Sequence, residues 1–545
     1  MRNCVILLFS LLVCGQFLFA ELPPAFTSGG DPELYETLMD KAKDNLKKLD
    51  GPRKKEYRRM LREQDDILMA YLLAYESDAG LCQAEPRDIL SNYRQIRLYL
   101  ETYGTSHPAE FFLSYVADQT VSDERIEAYR EALLDDGLRE ILQTSDDELE
   151  LYRAVSHWCV SRLKFTPTSG RDQSPLDITQ KSFLGRCEEM QILFVAAART
   201  VGLPARAASV SWWPHTDNNH AWAEVWLDGA WHYTGDMDTA YYPDQTWFSG
   251  LIDKTVLILA DGTLPSENDE VLHQGKYECV INSTPNYAGE HTRTLKIQTV
   301  DAQGDPLPRT ELRFLVYNWN SLRSLVAVET DDEGNFEISV GRGAFYVSAS
   351  KDGLDALQLV PSGDQTTLEY TLVLKEGSLP DQNAMLDYPA NEFEHQQAPR
   401  EWKDAVAEAK ALWQERDEMF RERRDAEPDS LIGAFAAAGR GNLPELEEFL
   451  RRHPSPDEDF LRFVTSEDPQ YLDPKFLWQA NASQIEALYV FYLDHDWGSY
   501  SSDELSALID PAVFYEELPQ PVEYRDGVPQ LYPENFFFSG ETNLE

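Results

Sequence analysis

A helix with well-defined ends lies within residues 182–248, the part of the sequence that most constrains the fold. Its apolar positions recur at helical spacing and are Met190, Leu193, Phe194, Ala197 and Val201. Gly202 can adopt the left-handed cap conformation and Pro204 cannot continue a helix, so the chain is expected to turn and form a strand over 205–212. Cys187 therefore lies at the start of this helix, where unpaired backbone N–H groups and the helix dipole favour a thiolate.

A β-hairpin is predicted after the following polar loop. Asp228-Gly229 separates two alternating segments, and this dipeptide is typical of two-residue hairpin turns. The pairs counted outward from the turn are Leu227 with Ala230, Trp226 with Trp231, Trp222 with Gly235 and His220 with Met237. In this register His220 shares a strand face with Trp222, Glu224 and Trp226.

An acid that orients His220 requires a departure from strict pairing. In the strict register Asp236 and Asp238 point away from the face that carries His220. A β-bulge near Gly235 would bring Asp236 diagonal to His220 and place Asp238 directly opposite it. We favour Asp236 as the orienting acid, and Asp238 is the alternative.

The order of these motifs resembles that of the transglutaminase-like cysteine enzymes. The superfamily reads Gly-x-Cys, Gly-Ile/Leu-Pro-Ala-Arg, His-Ala-Trp-x-Glu, and then a tryptophan and an acid. The matching segments are Gly185-Arg186-Cys187, Gly202-Leu203-Pro204-Ala205-Arg206, His220-Ala221-Trp222-Ala223-Glu224 and Trp231, within about a quarter of the chain. The resemblance implies a papain-like core in which Cys187 is the nucleophile, His220 is the general base and acid, and an aspartate orients the imidazole. The usual acid position, four residues after the tryptophan, holds Gly235, and Asp236 follows it.

The resemblance also implies an oxyanion donor upstream of the cysteine. The Gln173 side chain and the indole of Trp158 are two candidates, and both stay open. Arg206 is expected to form a structural ion pair. Glu188 and Glu189 lie in the first helical turn, where acids stabilise a helix.

Several tryptophans surround the histidine motif. Cross-strand packing explains most of them. Trp212 and Trp213 precede the loop that leads to His220, so they are the best candidates to line an acyl-donor groove.

The charge of the chain excludes some partners. The 545 residues include 95 acidic and 48 basic side chains, a net charge of −47. Such a surface does not bind nucleic acid or anionic membranes through bulk charge. We expect a peptide or protein substrate and no cofactor.

The first 20 residues have the charge, apolar core and small-residue order of a secretory signal. Cleavage after Ala20 is expected, and lipid attachment at Cys14 is the less favoured alternative because valine precedes it. No later segment reads as transmembrane, so a secreted or periplasmic protein is predicted. A disulfide among Cys82, Cys159 and Cys279 would be compatible with export, whereas Cys187 must stay free.

The predicted fold class is α+β with several domains. After the signal, residues 21–145 read as a helical region and 146–285 as the transglutaminase-like core. Six short strand candidates between 295 and 374 predict a β-sandwich over 286–378, which resembles the carboxypeptidase regulatory-like and prealbumin-like modules. Residues 379–545 read as a helical C-terminal region.

The motifs favour a thiol enzyme that acts on amide bonds through a thioester. Hydrolysis, as in a peptidase or amidase, is slightly favoured because exported proteins of this type are often hydrolytic. Transfer to an amine, as in protein cross-linking, is the alternative. A binding or scaffold protein with a relic site is a further hypothesis, because the acid is displaced. A metal site formed by Cys187, His215 and His220 is the weakest one, since no close ligand pair marks it.

Overall fold

The computed structural model describes most of the chain. The described residues are 22–49, 51–145, 147–166, 172–214, 216, 218–234, 241–250, 252–318, 321–376, 399–426, 431–465, 475–494, 523–525 and 528–530. Helices and sheets are both present in large amounts, so the fold is α+β.

Helices make up the N-terminal part, as the sequence predicts. They are α1 (Pro32–Lys48), α2 (Gly51–Gln64), α3 (Ile67–Ala74), α4 (Asp78–Gln83), α5 (Pro86–Tyr103), α6 (Ala109–Phe112), α7 (Tyr129–Leu133) and α8 (Arg139–Thr144), with π-helical turns at Leu113–Ala117 and Leu134–Leu138 and a 3-10 turn at Pro24–Phe26. Asp31 and Asp66 cap α1 and α3 by accepting hydrogen bonds from Leu34 N and Met69 N. Every residue of α3 is buried, so it forms the centre of this helical cluster.

The central part combines two long helices with one antiparallel sheet. Its elements are α9 (Glu148–Val160), β1 (Lys164–Phe165), a π-helical segment at Asp177–Ser182, β2 (Leu184–Gly185), α10 (Cys187–Thr200), β3 (Ala205–Val210), β4 (His220–Leu227), β5 (Ala230–Thr234), β6 (Leu259–Gly262), β7 (Val271–Gln274), β8 (Cys279–Asn282) and α11 (Thr284–Ala288), with 3-10 turns at Ile252–Lys254 and Gly289–His291. The sheet has the order β5-β4-β3-β6-β8-β7, and α10 packs against β3 and β4.

The helix and the hairpin turn predicted for this part are confirmed, whereas the predicted pairs of Trp222 with Gly235 and of His220 with Met237 involve residues outside the described part. Helix α10 begins at Cys187, and Gly202 has a φ of 84°, which suits the chain reversal after the helix. Strand β3 ends at Val210, two residues earlier than expected, because the chain turns into a loop closed by a bond from Trp213 N to Asn218 O. Asp228 and Gly229 both have positive φ, as a type I′ turn requires. The pairs of Leu227 with Ala230 and of Trp226 with Trp231 are as predicted.

Seven strands in two sheets follow the central part and form a two-sheet unit over residues 293–373. They are β9 (Arg293–Val300), β10 (Glu311–Asn318), β11 (Ser321–Glu329), β12 (Asn335–Val340), β13 (Phe345–Lys351), β14 (Leu354–Val360) and β15 (Thr367–Val373). One sheet has the order β11-β10-β13-β14 and the other β12-β9-β15, and both contribute to one hydrophobic cluster. All six strand candidates from the sequence are strands, whereas β14 was missed because Asp355 and Gln358 interrupt its apolar residues.

The C-terminal part is again helical. It contains α12 (Arg400–Ala426), α13 (Leu431–Ala438), a 3-10 turn at Arg440–Asn442, α14 (Leu443–Arg452), α15 (Glu458–Val464), α16 (Lys475–Gln479) and α17 (Ala482–Asp494), followed by the short hairpin β16 (Glu523–Arg525) and β17 (Val528–Gln530). Trp402, Val406 and Ala409 of α12 are buried in the same cluster as α9 and α10. Among the described residues, no helix is both long and apolar enough to cross a bilayer.

Candidate active site

Cys187 is the first residue of α10, and the preceding turn is closed by a capping bond. Arg186 N donates to Glu189 Oε2 over 2.8 Å, which satisfies one of the main-chain donors left unpaired at a helix start. Gln173 N donates to the other oxygen of the same carboxylate over 3.3 Å. Glu189 is fully buried, so it does more than the general stabilisation expected of an acid in the first turn.

The Cys187 thiol lies between an acid and a main-chain donor. Its Sγ–H donates to Glu188 Oε2 over 3.0 Å, and the main-chain N–H of Ala221 lies close enough to the sulfur to favour its charged form. Burial and the Glu188 carboxylate raise the pKa of the thiol well above its ordinary value, although the Ala221 N–H and Arg186 act in the opposite direction. The resting thiol is therefore protonated, and the helix terminus alone does not produce the thiolate that its position suggested.

His220 is the first residue of β4, next to the Ala221 N–H that contacts the cysteine. Its ring lies in an aromatic environment, with centroid distances of 5.7 Å to Trp222 and 5.0 Å each to Trp247 and Phe248. Burial lowers the pKa of His220 to about 4, so the imidazole is neutral near pH 7. Its buried Nε2 has no hydrogen-bond partner among the described residues. The structure thus brings Cys187 to the beginning of the strand that carries His220, without a hydrogen bond between the two side chains.

The predicted orienting acids lie outside the described residues. This applies to both Asp236 and Asp238. Gly235, where a bulge was predicted, and Met237 lie outside them as well.

Another aspartate, which the sequence reasoning missed, binds the neighbouring strand: Asp244 accepts a hydrogen bond from Tyr233 N at 3.0 Å and pairs with His232 Nδ1 at 2.6 Å. The hydrogen bond to Asp244 raises the pKa of His232.

The two candidate oxyanion donors have different surroundings. The indole N–H of Trp158 donates to the Asp136 carbonyl over 2.8 Å, so its one donor is already used and the structure argues against it. Gln173 is fully buried beside the start of α10, and its Nε2 donates to the Leu184 carbonyl over 2.9 Å. Of the two, Gln173 is the one held against the turn that precedes Cys187.

Arg206 forms the expected structural ion pair. Its partner is Glu224, the residue opposite it on β4, with 2.5 Å between Nε and Oε2 and both side chains buried. Tyr287 donates to Glu224 over 2.6 Å and accepts from Trp222 Nε1 over 2.8 Å. Because Trp222 packs against the His220 ring, this network supports the wall beside the histidine.

Of the two tryptophans favoured to line a groove, Trp213 is buried and Trp212 is partly buried. Trp213 is buried and packs against Trp222 and Phe248, and Trp212 packs against the cluster of the two-sheet unit. Trp247, for which the sequence favoured packing over a place in the groove, is 48% exposed and its ring lies 5.0 Å from that of His220, so it is better placed to meet a substrate.

A buried lysine from the C-terminal part reaches the same helix start. Lys475 Nζ lies 2.8 Å from Glu189 Oε1, and the two side chains are 1% and 0% exposed. The residues are 286 positions apart. No sequence signal could have predicted this pair, because it depends on how distant helices pack.

The described residues contain no group of three or more His, Cys, Asp and Glu side chains that could hold a metal, and His215 lies outside them. Among the described residues, Cys159, Cys187 and Cys279 are free thiols, so neither Cys159 nor Cys279 forms the disulfide considered among Cys82, Cys159 and Cys279.

Comparison with known proteins supports the motif assignment. Residues 136–235 match the family model of the transglutaminase-like superfamily, a range that includes Cys187 and His220 and ends at Gly235. A comparison with curated proteins finds no match. The similarity to the transglutaminase-like superfamily therefore covers residues 136–235.

Proposed function

We propose that this protein is a thiol enzyme that cleaves amide bonds in peptides or proteins through Cys187, His220 and Asp236. The observation that carries the proposal is the approach of β4 to the start of α10, where the Ala221 N–H meets the Cys187 sulfur and His220 is the adjacent residue. The match to the transglutaminase-like superfamily supports a papain-like thiol chemistry for these residues.

The reaction begins from a neutral pair. His220 is unprotonated near pH 7 and can take the thiol proton, once the Cys187 side chain turns from Glu188 towards it. The thiolate then attacks the amide carbonyl, and the Cys187 main-chain N–H together with an upstream donor such as Gln173 stabilises the oxyanion. The leaving amine takes the proton from His220, and a thioester remains on Cys187.

Asp236 is assigned to orient the imidazole and to stabilise its protonated form. An acid bonded to the histidine ring favours the cation that forms during proton transfer. This role would compensate for the aromatic, desolvated surroundings of His220, which disfavour the cation. Asp238 is the alternative for the same role.

The acceptor of the acyl group determines which reaction the enzyme catalyses. We favour water, which gives a peptidase or amidase, and keep an amine acceptor, which gives an isopeptide cross-link, as the second candidate. Glutamine-containing peptides incubated with and without a primary amine distinguish the two. Release of ammonia or a peptide fragment without amine incorporation supports hydrolysis, and amine incorporation supports transfer.

Alkylation by iodoacetamide tests the site without a known substrate. We expect fast labelling of Cys187 near pH 7 in the intact protein and slow labelling in His220→Ala. His291→Ala is a matched control because that histidine is exposed and far along the chain. The buried Cys159 serves as an internal reference in the same mass-spectrometric measurement.

A relic site is the competing function, and one observation favours it. The thiol donates to Glu188 and has a raised pKa, which is the opposite of an activated nucleophile. Equal and slow labelling in the intact protein and in His220→Ala, with both folded, would support a binding or scaffold role instead.

We also propose that the protein is exported, on the basis of its first 20 residues, which lie outside the described part. The proposed division assigns 21–145 to a helical region, 146–285 to the catalytic core, 286–378 to a β-sandwich and 379–545 to a helical region. N-terminal sequencing of the protein secreted from its host tests the expected cleavage after Ala20.

A further inference from the structure

The segment that leads into Cys187 has an unusual backbone. Residues Asp177–Ser182 form a π-helical segment, and Phe183 follows with a φ of 58°, in the left-handed region that residues with a side chain rarely adopt. The short β2 strand then connects directly to the helix start. Such a segment needs support from surrounding structure to keep one conformation.

The C-terminal helices provide direct contacts to this segment. Arg440 Nε donates to the Ser182 carbonyl over 2.6 Å, and the Arg416 guanidinium lies 4.2 Å from the centre of the Phe183 ring. Gly441 approaches so closely that a Cβ there would lie 2.6 Å from the Lys181 carbonyl oxygen. The C-terminal part is therefore packed against the backbone that carries the nucleophile.

Lys475 extends this contact to the helix start itself. It forms the buried ion pair with Glu189, whose two oxygens also accept the main-chain bonds from Arg186 and Gln173. One carboxylate thus joins the C-terminal helices, the upstream loop and the first turn of α10. Cys187 is two residues from this carboxylate.

Acidic side chains around the start of α10 explain why a buried lysine is needed there. Asp172, Glu188 and Glu189 lie around the helix start, and Arg186 pairs with Asp172 at 2.7 Å and with Glu188 at 2.8 Å. Lys475 supplies the cation in direct contact with Glu189. Removing one partner of a buried pair leaves an uncompensated charge, which the structure can relieve only by moving or by admitting water.

We propose that Lys475 is a positioning residue for Cys187: through Glu189 it holds the start of α10, so the C-terminal helices form part of the thiol site. The inference rests on the proposed role of Cys187 as nucleophile. Under this proposal the thiol site requires Lys475, which lies 288 positions beyond Cys187 in the sequence.

Four full-length variants test this role. In Lys475→Met we expect the rate of Cys187 alkylation at pH 7 to fall about tenfold or more, because a small displacement of a reacting group has effects of this size. Lys475→Arg keeps the charge and should retain most of the rate. The double variant Glu189→Gln with Lys475→Met removes both charges and should recover part of the loss, since glutamine can still accept the Arg186 bond. Lys403→Met, an exposed lysine of α12, is the matched control.

Two measurements separate the ways in which the inference can fail. If the intact protein shows His220-dependent labelling but Lys475→Met labels as fast as Lys403→Met, Lys475 has no positioning role and the enzyme proposal stands. If the intact protein shows no activated thiol, the enzyme proposal fails, and amide hydrogen exchange over 187–190 then decides about Lys475. Faster exchange there in Lys475→Met, restored in the double variant, supports a lysine that holds the helix start. Unchanged exchange overturns the inference.

Discussion

Asn318 binds the loop that leads to His220: its side-chain nitrogen donates to the carbonyls of Trp213 and Thr216, each over 2.8 Å. Asn318 is the last residue of β10 in the two-sheet unit and is fully buried. The histidine side of the site is thus held by the two-sheet unit, while the cysteine side is held by the C-terminal helices.

The first prediction concerns this loop. Asn318→Ala leaves the buried Trp213 carbonyl and the partly buried Thr216 carbonyl without their donor, which should lower the free energy of unfolding by about 1–3 kcal/mol. His220-dependent alkylation of Cys187 should slow as well. Denaturant unfolding and labelling rates measure both effects against Asn335→Ala, an exposed position in the same unit. Identical results for the two variants would show that Asn318 does not support the loop.

The second prediction concerns the acid beside the thiol. Burial is the largest cause of the raised pKa of Cys187, and the Glu188 carboxylate is the next largest. Glu188→Gln removes this carboxylate. The pKa of the thiol should therefore fall, and the pH profile of alkylation should move to lower pH. Glu140→Gln, an exposed glutamate in α8, controls for the change in net charge. A profile that stays in place would mean that Glu188 does not control the thiol.

The third prediction concerns the buried ion pair of Arg206 and Glu224. Arg206→Met leaves the Glu224 carboxylate without its cation, and loss of one partner in such a pair costs about 3–5 kcal/mol. Combining it with Glu224→Gln should reduce the loss, because no uncompensated charge remains. Arg139→Met breaks an exposed pair with Asp135 and should cost about 1 kcal/mol or less. Equal losses for the single and double Arg206 variants in denaturant unfolding would rule out this explanation.

The fourth prediction uses the pH dependence of His220. Burial lowers its folded-state pKa to about 4 from 6.5, so between these values the unfolded chain binds a proton that the folded chain does not. Stability is therefore lost as the pH falls from 6.5 to 4, by about 3 kcal/mol at pH 4. We expect the intact protein to lose that much more than His220→Gln between pH 7 and pH 4 in denaturant unfolding.

A smaller difference between the stability losses of the intact protein and His220→Gln would indicate that an acid contacts the imidazole. A carboxylate bonded to the imidazole favours its charged form and raises its pKa. If the intact protein and His220→Gln lose stability in parallel, His220 titrates near its ordinary pKa, and Asp236→Asn should then restore the steep loss. The result would support Asp236 as the orienting acid.

The amino-acid sequence by itself determined the local elements of the site. Helical periodicity and the Gly202 and Pro204 stop signals located α10, and the Asp228-Gly229 turn set the hairpin register, because these features depend on neighbouring residues alone. The tertiary structure decided which charges surround Cys187 and which units hold it. Glu188 against the thiol, Lys475 on Glu189 and Asn318 on the histidine loop depend on burial and on contacts between distant segments. Both are set by the packing of the whole chain, which periodicity and turn signals do not specify.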